Sequence, residues 1–449
     1  MRKKTEKPTE LVPVFEVPPS VEITSEEVDK LEHNTVFNDV YAEYYEQLAD
    51  DLGDEQYKKN AERMLNCHKR WWGDYYNIQE VFDVQQLSLC HDRFCVNCQH
   101  LKQAAQLQRF TKILDDAEKD HDLYLMTLTV PNCPINKLKD SLDRLAIAFQ
   151  SIIRYFTGNS TIAGIDFASY GFYACYRNIE ITIQPKTFHP HYHCILALRK
   201  DLDEQKLYTN DYSYSYGVFM RKFSDLEILI QKILALKYNG IRLDKIVVDH
   251  VLNGIVVDKD RLEAWCDKYN VSMRMLNSFR RKGYSCTIDK IGERSWHDAF
   301  KYATKLTEDG AALMAYYQFK ALVPLLKHMH FGQGYGAWYK LPKDEWEIDP
   351  DVLAAYEYVI SRLKEVEDPV GMTFEILKLK EKLHNRSLKC ISRKKAYTIV
   401  QEYLSMHDPD DGLTSPSDEE PDKHESTYEQ LRFDLGAKSK PSGDGDLPF

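Results

Sequence analysis

The sequence predicts an α+β protein: an antiparallel sheet with flanking helices, a cysteine-rich segment ahead of it and an acidic, disordered tail behind. Three observations carry that expectation. A buried-strand pattern at Leu123–Val130, an amphipathic helix over 135–156 and a strand hairpin pairing Tyr176–Ile183 with His191–Leu198 follow one another. Cys90, Cys95 and Cys98 fall within nine residues, with Cys67 upstream, and beyond Asp408 the chain is rich in Asp, Ser, Pro and Gly.

At 449 residues, 43% apolar and 12% aromatic, the chain is long enough for several domains and a sizeable core. The basic start Met1-Arg2-Lys3-Lys4 is followed by an apolar run too short and too broken by proline and glutamate for a secretion signal, so a cytoplasmic protein is expected. The net charge of −11 is uneven. Residues 1–66 carry 16 acidic and 8 basic side chains and residues 401–449 carry 13 and 4, which leaves the body at 67–400 with +6. A mildly basic body permits a phosphate-bearing partner.

Taken in order, residues 1–23 read as a disordered N-terminal segment and 24–66 as a helical adapter opened by Thr24-Ser25-Glu26-Glu27. Residues 67–105 form a zinc-knuckle-like segment, 106–345 the α+β core, 346–407 a helical C-terminal region and 408–449 the tail. Within the core a helix is expected from His100 to Lys119, and another near 217–237 after a polar loop with Tyr208, Tyr212, Tyr214 and Tyr216. Lys245-Ile246-Val247-Val248 reads as a strand, Trp265 lies in a helix, and Arg280-Arg281-Lys282-Gly283 makes a basic turn before the strand Tyr284–Ile288. Gly332, Gly334 and Gly336 mark an irregular loop, and helix is expected again over 350–405.

Cytosolic cysteines at C-x4-C-x2-C spacing suit a structural zinc, with Cys67 as fourth thiolate and His68, His91 and His100 as competitors. In His189-Pro190-His191-Tyr192-His193 the strand period of two puts His191 and His193 on one face. Pairing Glu180 opposite His193 and Thr182 opposite His191 adds a carboxylate to that face, and a charged Glu in an apolar strand needs a partner such as a divalent cation. Further on, Asp298, Tyr302 and Lys305 recur at i, i+4 and i+7 beside a buried stripe of Trp296, Ala299, Phe300 and Ala303. Taken alone, that helix is an ordinary exposed face.

Together these blocks resemble the rolling-circle plasmid replication initiators of the HUH endonuclease superfamily. The likeness runs over roughly residues 67–340 and rests on the knuckle, the Met126-Thr127-Leu128-Thr129 strand, Asn178-Ile179-Glu180-Ile181-Thr182, the histidine block and Lys301-Tyr302-Ala303-Thr304-Lys305. It implies an HUH nuclease core in which His191, His193 and Glu180 hold Mg²⁺ or Mn²⁺ and Tyr302 cleaves one DNA strand through a 5′-phosphotyrosine. It also implies a 3′-hydroxyl primer, later rejoining, and origin DNA as partner. Asp298 stands where such initiators use Glu to activate a terminating water, with Glu293 as fallback; Lys301 and Lys305 would steady the phosphate or phenolate. Val96 replaces the proline usual in the knuckle. His189 matches the first histidine of the family block.

The tail adds two short likenesses. Asp444-Gly445-Asp446-Leu447-Pro448-Phe449 is similar to the acidic tip of bacterial single-stranded DNA-binding proteins, and Gln430-Leu431-Arg432-Phe433-Asp434-Leu435 to a sliding-clamp peptide. They imply recruitment of host helicase, polymerase or clamp. Competing readings are an HUH relaxase or transposase and a zinc-stapled DNA-binding protein without catalysis, with Tyr316, Tyr317 and Tyr339 as substitute nucleophiles.

Overall fold

The structure, a computed structural model, describes residues 21–23, 25–209, 212–215, 218–292, 314–327, 329–339, 350–375 and 388–391. Asp298, Lys301, Tyr302, Lys305, Glu293 and the whole tail, including Gln430, Leu431, Phe433, Leu435, Asp446, Leu447, Pro448 and Phe449, lie outside the described residues. In chain order the strands are β1 (Val21–Ile23), β2 (Arg70–Tyr76), β3 (Val81–Leu87), β4 (His121–Thr129), β5 (Cys133–Pro134), β6 (Phe172–Ile183), β7 (Thr187–Arg199), β8 (Tyr212–Ser215), β9 (Val218–Arg221), β10 (Ser285–Lys290), β11 (Gln333–Gly336), β12 (Val370–Glu375) and β13 (Leu388–Ile391). Helices α1 (Ser25–Leu52), α2 (Gln56–Leu65), α3 (Val96–Asp120), α4 (Leu138–Phe156), α5 (Glu204–Leu207), α6 (Asp225–Tyr238), α7 (Lys245–Val247), α8 (Lys259–Tyr269) and α9 (Met273–Arg281) are followed by helices Tyr316–Leu326 and Pro350–Val366.

The main sheet runs β10–β4–β7–β6–β11, antiparallel throughout, with β5 added to β7. Its strands are apolar on both faces for much of their length because both are covered. On one face Met126, Leu128, Ile179, Ile181, Tyr192, Cys194 and Leu196 meet the stripe of α4 (Leu142, Leu145, Phe149, Ile152) and α6 (Ile230, Leu234). On the other, Leu123, Leu125, Ala174, Tyr176, Ile195 and Ala197 meet Phe110, Leu114 and Ala117 of α3. Moving along the strands from this apolar patch, the same face continues as Thr127, Asn178, Glu180, His191 and His193. Helix α3 thus packs on the apolar half of the face, and the polar half is where chemistry is placed.

A second sheet, β1–β13–β3–β2–β12, was not anticipated from the sequence. Its one parallel pair is β13 on β3. Val28 and Leu31 of α1 pack on one side with Trp71, Phe82, Val84 and Phe374, while Val359 and Leu363 of helix Pro350–Val366 pack on Tyr76, Val81 and Ile391. Consequently the helix expected over 350–405 stops at Val366, and β12 and β13 follow. The segment expected to be only a knuckle also supplies the β2–β3 hairpin.

Other departures are local. Lys245–Val247 is helical rather than extended, because the Asp244 carboxylate accepts from the Ile246 and Val247 amides and caps a helical turn despite the β-branched run. The helix expected near 217–237 starts at Asp225 behind a Ser224/Glu227 capping box, and part of the preceding polar loop is the β8–β9 hairpin. The glycine loop near 334 is strand β11, paired with Ala174–Arg177 of β6. No helix among the described residues is long and apolar enough to cross a membrane.

Asp83, 2% exposed in β3, accepts from Tyr356 Oη (2.8 Å) and Gln85 Nε2 (2.5 Å) and faces Asp74 across the ladder. Burial above all, with the Asp74 charge adding to it, raises its carboxyl from 3.8 to about 6. A folded-state value above the unfolded one means the protonated form is favoured by folding, so this contribution is present below 3.8 and lost as pH rises through about 6. Asp83→Asn should therefore leave stability near its wild-type value at about pH 4 and raise it by up to about 3 kcal/mol at neutral pH, read by urea titration across pH.

Candidate functional site

The β6–β7 hairpin turns at Gln184–Lys186, with Ile183 opposite Phe188, so Glu180 pairs with His191 and Asn178 with His193. The pairing expected from the sequence was two residues out, with Glu180 opposite His193. Because the side-chain period is two, the slip leaves Glu180, His191 and His193 on one face. The difference is one of reach: Glu180 is now directly across from one histidine and diagonal to the other.

Both imidazole Nε2 atoms close on the same carboxylate oxygen, Glu180 Oε2, at 3.1 Å from His191 and 2.8 Å from His193. All three side chains are nearly buried, with Glu180 7% and His193 6% exposed. Burial alone would raise the Glu180 carboxyl, but hydrogen bonds from His191 and His193 outweigh it and bring it down to about 2. Burial also lowers His193, favouring neutral imidazole, the form that ligates metal.

The rings are held from behind. His191 Nδ1 lies 3.2 Å from the His189 carbonyl oxygen, which can only accept, so Nδ1 carries the proton. His191 Nε2 then faces a carboxylate oxygen 3.1 Å away, an arrangement that calls for a proton or a cation between them. His193 Nδ1 meets Thr127 Oγ1 at 3.2 Å. Carbonyl and hydroxyl partners of this kind are the usual outer supports of metal-binding imidazoles. One ligand atom from each of Glu180, His191 and His193 lies within 4.8 Å of the others, so the set can hold a divalent cation. His189 takes part through its backbone; its own ring, 5.4 Å from that of His191, is driven to about 4 by burial and then by the His191 charge.

The four cysteines converge as well. Cys67 Sγ lies 3.6 Å from Cys95 Sγ and 3.5 Å from Cys98 Sγ, and Cys90 Sγ is 3.6 Å from Cys98 Sγ. Four sulfurs about 2.3 Å from a tetrahedral zinc would stand about 3.8 Å apart, so the cluster has nearly the right size. The amides of Cys90 and Asp92 and the Asn38 side chain donate to these sulfurs at 3.3–3.4 Å. Bonds from Cys67 and then Cys90 and Cys95 draw the Cys98 thiol far below its usual range. Cys67, rather than His68 or His91, completes the set; His68 is buried next to it and His91 is exposed. Sequence reasoning missed the outer supports: Asn38 stands far from the knuckle in sequence, and Thr127 belongs to a run that reads simply as strand.

Fold and site together define a mixed α+β protein whose antiparallel sheet carries a two-histidine, one-carboxylate centre, tied to a four-cysteine centre by one helix. Residues 81–215 match the family model described as replication protein, a segment that includes Cys90, Cys95, Cys98, Glu180, His191 and His193. The chain is 24% identical over 169 residues to a "Protein rep" of a Bacillus species, covering 36% of this chain and 50% of that protein. A "Protein rep" of Bacillus amyloliquefaciens is 24% identical over 164 residues (36% and 45%), and one of Staphylococcus aureus is 28% identical over 124 residues (26% and 49%). The chain spans about half the length of the curated relatives it matches. No solved structure matches it. The likeness to replication proteins thus covers the segment that bears Glu180, His191 and His193.

Cys95→Ser should abolish the stoichiometric zinc measured by elemental analysis and cost several kcal/mol of stability, part of the roughly 10–16 kcal/mol that structural zinc supplies in small domains. Cys266→Ser, at a buried cysteine outside the tetrad, should keep the zinc; equal zinc loss in both would refute the assignment.

Proposed function

We propose that this protein initiates rolling-circle replication of plasmid DNA by nicking one strand at the origin. The observation that carries the reading is the convergence of His191 and His193 on Glu180 Oε2, inside the segment matched by the replication-protein family. The sheet face holds this trio at the border of the patch packed by α3, a place suited to a phosphodiester rather than to a small apolar ligand.

His191, His193 and Glu180 would hold the cation, with the carboxylate favouring Mg²⁺ or Mn²⁺ over softer ions. When bound, such an ion polarises the scissile phosphate and offsets the charge that builds up in the transition state. Tyr302 is the nucleophile: its phenolic oxygen bonds to phosphorus, the bond from phosphorus to the 3′-oxygen breaks, and the proton lost from the phenol is made good on the departing 3′-hydroxyl. The 5′-phosphotyrosine keeps the free energy of the broken bond available for rejoining. Lys301 and Lys305 lower the cost of phenolate and phosphate charge, and Asp298 takes the proton from the water that ends the cycle. The Glu180 carboxylate is ionised well below neutral pH, so it serves as a ligand and not as the general acid.

Two measurements test this. With Mn²⁺ and single-stranded origin DNA, the wild type should form a covalent adduct whose tryptic peptide contains Tyr302, and Tyr302→Phe should form none; adducts persisting in that variant exclude this nucleophile. Glu180→Ala should weaken Mn²⁺ binding in calorimetry by more than the roughly 10–100-fold that loss of an outer support costs, with the four-cysteine zinc retained. Unchanged Mn²⁺ affinity would mean the ion sits elsewhere.

A further inference from the structure

Between α6 and β10 the chain builds a helical unit with a core of its own. Val247, Val251, Leu262, Trp265, Cys266, Leu276 and Phe279 close on one another and on Ala235, Leu236 and Ile241. Helix α8 ends where Asn270 adopts a left-handed conformation (φ 52°), and the Val271 amide donates back to the Cys266 carbonyl at 3.0 Å. Three residues, Asn270-Val271-Ser272, then lead into α9. Two helices sharing one core across a three-residue turn form the helix-turn-helix pattern, in which the second helix is the one presented to DNA.

The outward face of α9 has the composition that role requires. Arg274, Ser278 and Arg281, at i, i+4 and i+7, are exposed, while Leu276 and Phe279 point into the core. From Ser272 to Lys282 there are four basic residues and no acidic one, whereas the unit's acids, from Asp244 to Asp267, all lie on preceding elements. Asn277, half-exposed on the same side, is fixed by His250 Nε2 at 2.9 Å from its Oδ1. Arginine, asparagine and serine are the side chains that read guanine and adenine edges in the major groove.

The helix is also rigidly mounted. After α9 the backbone passes α6 so closely that a Cβ on Gly283 would sit 2.1 Å from the Gln231 carbonyl carbon, so only glycine fits. The Tyr284 amide donates to the Gln231 carbonyl (3.0 Å), and Tyr284 Oη accepts from Asn239 Nδ2 (2.9 Å). The chain then enters β10, whose Thr287 pairs with Thr127, the residue behind His193. A helix held this firmly to the sheet can set where on a duplex the cleavage face is delivered.

We propose that residues 241–282 are a helix-turn-helix reader of double-stranded DNA, with Arg274, Asn277, Ser278 and Arg281 of α9 facing the major groove. It rests on the initiator reading and deepens it by naming the surface that selects the origin duplex. The test uses the full-length chain and a library of DNA duplexes with a random core. The wild type should enrich one sequence, and the double variant Arg274→Ala, Arg281→Ala should bind the selected duplex about 10- to 100-fold more weakly. Its affinity for a scrambled duplex should fall far less, while zinc content, thermal midpoint and adduct formation on single-stranded DNA stay as in the wild type. Equal losses on selected and scrambled duplexes would reduce α9 to a phosphate contact and overturn the proposal. So would undiminished binding, or a wild type that cuts single strands yet selects no duplex; in both cases the initiator reading stands. A wild type that neither cuts nor selects removes both.

Discussion

A carboxylate placed in the middle of a packed sheet has to be compensated, and Glu180 is compensated by two imidazoles acting on one oxygen. Much of the main sheet follows from that requirement. With a strand period of two, putting Glu180, His191 and His193 on one face commits Ile179, Ile181, Tyr192 and Cys194 to the other, where α4 packs. A slip of one residue would drive the carboxylate into the α4 core and bring isoleucines to the polar face. Core and site therefore enforce the same register from opposite sides. The outer supports, Thr127 on β4 and the His189 carbonyl on β7 itself, then leave the rings few orientations.

The cysteine tetrad acts on the same face at a distance, through α3. Cys95 and Cys98 open that helix, Cys67 follows α2, and Cys90 follows β3, so the four sulfurs join three otherwise separate pieces of chain. Phe110, Leu114 and Ala117, further along α3, are what cover the apolar half of the site face. Zinc in the tetrad would thus fix the lid of the sheet without touching the reacting atoms, consistent with a four-thiolate site that leaves no open position.

Legibility tracked the range of the interactions involved. The tetrad, the amphipathic α4 and the paired histidines could be read because each is encoded within a short stretch, the longest being Cys67 to Cys98. The second sheet could not: β2 lies beside β12, almost three hundred residues away, and β13 lies parallel to β3, pairings that no local pattern announces. The hairpin register was misjudged by two because it depends on how few residues the Gln184–Lys186 turn needs, and the extension of β7 back through His189-Pro190 was hidden by the proline. At Lys245–Val248 a β-branched run was overruled by one capping aspartate. The turn at Asn270 was legible in principle, since Asn tolerates the left-handed conformation, but its meaning depends on the shared core of α8 and α9.

Electrostatics shows why a dedicated basic helix is worth having in a chain of net charge −11. Acidic residues concentrate before residue 67 and after residue 400, and at physiological ionic strength exposed charges are screened beyond about 8 Å. Within the unit that ends in α9, Arg274, Arg280, Arg281 and Lys282 form a basic run with no acidic residue between them. A uniformly basic protein would bind phosphate anywhere and depend on base contacts alone for its position. Here four basic residues, one of them the C-cap Lys282, sit together on the helix that would carry the base-reading side chains. Non-specific attraction and sequence readout then act on one surface, fixed through Gly283 and Tyr284 to the sheet that bears Glu180, His191 and His193.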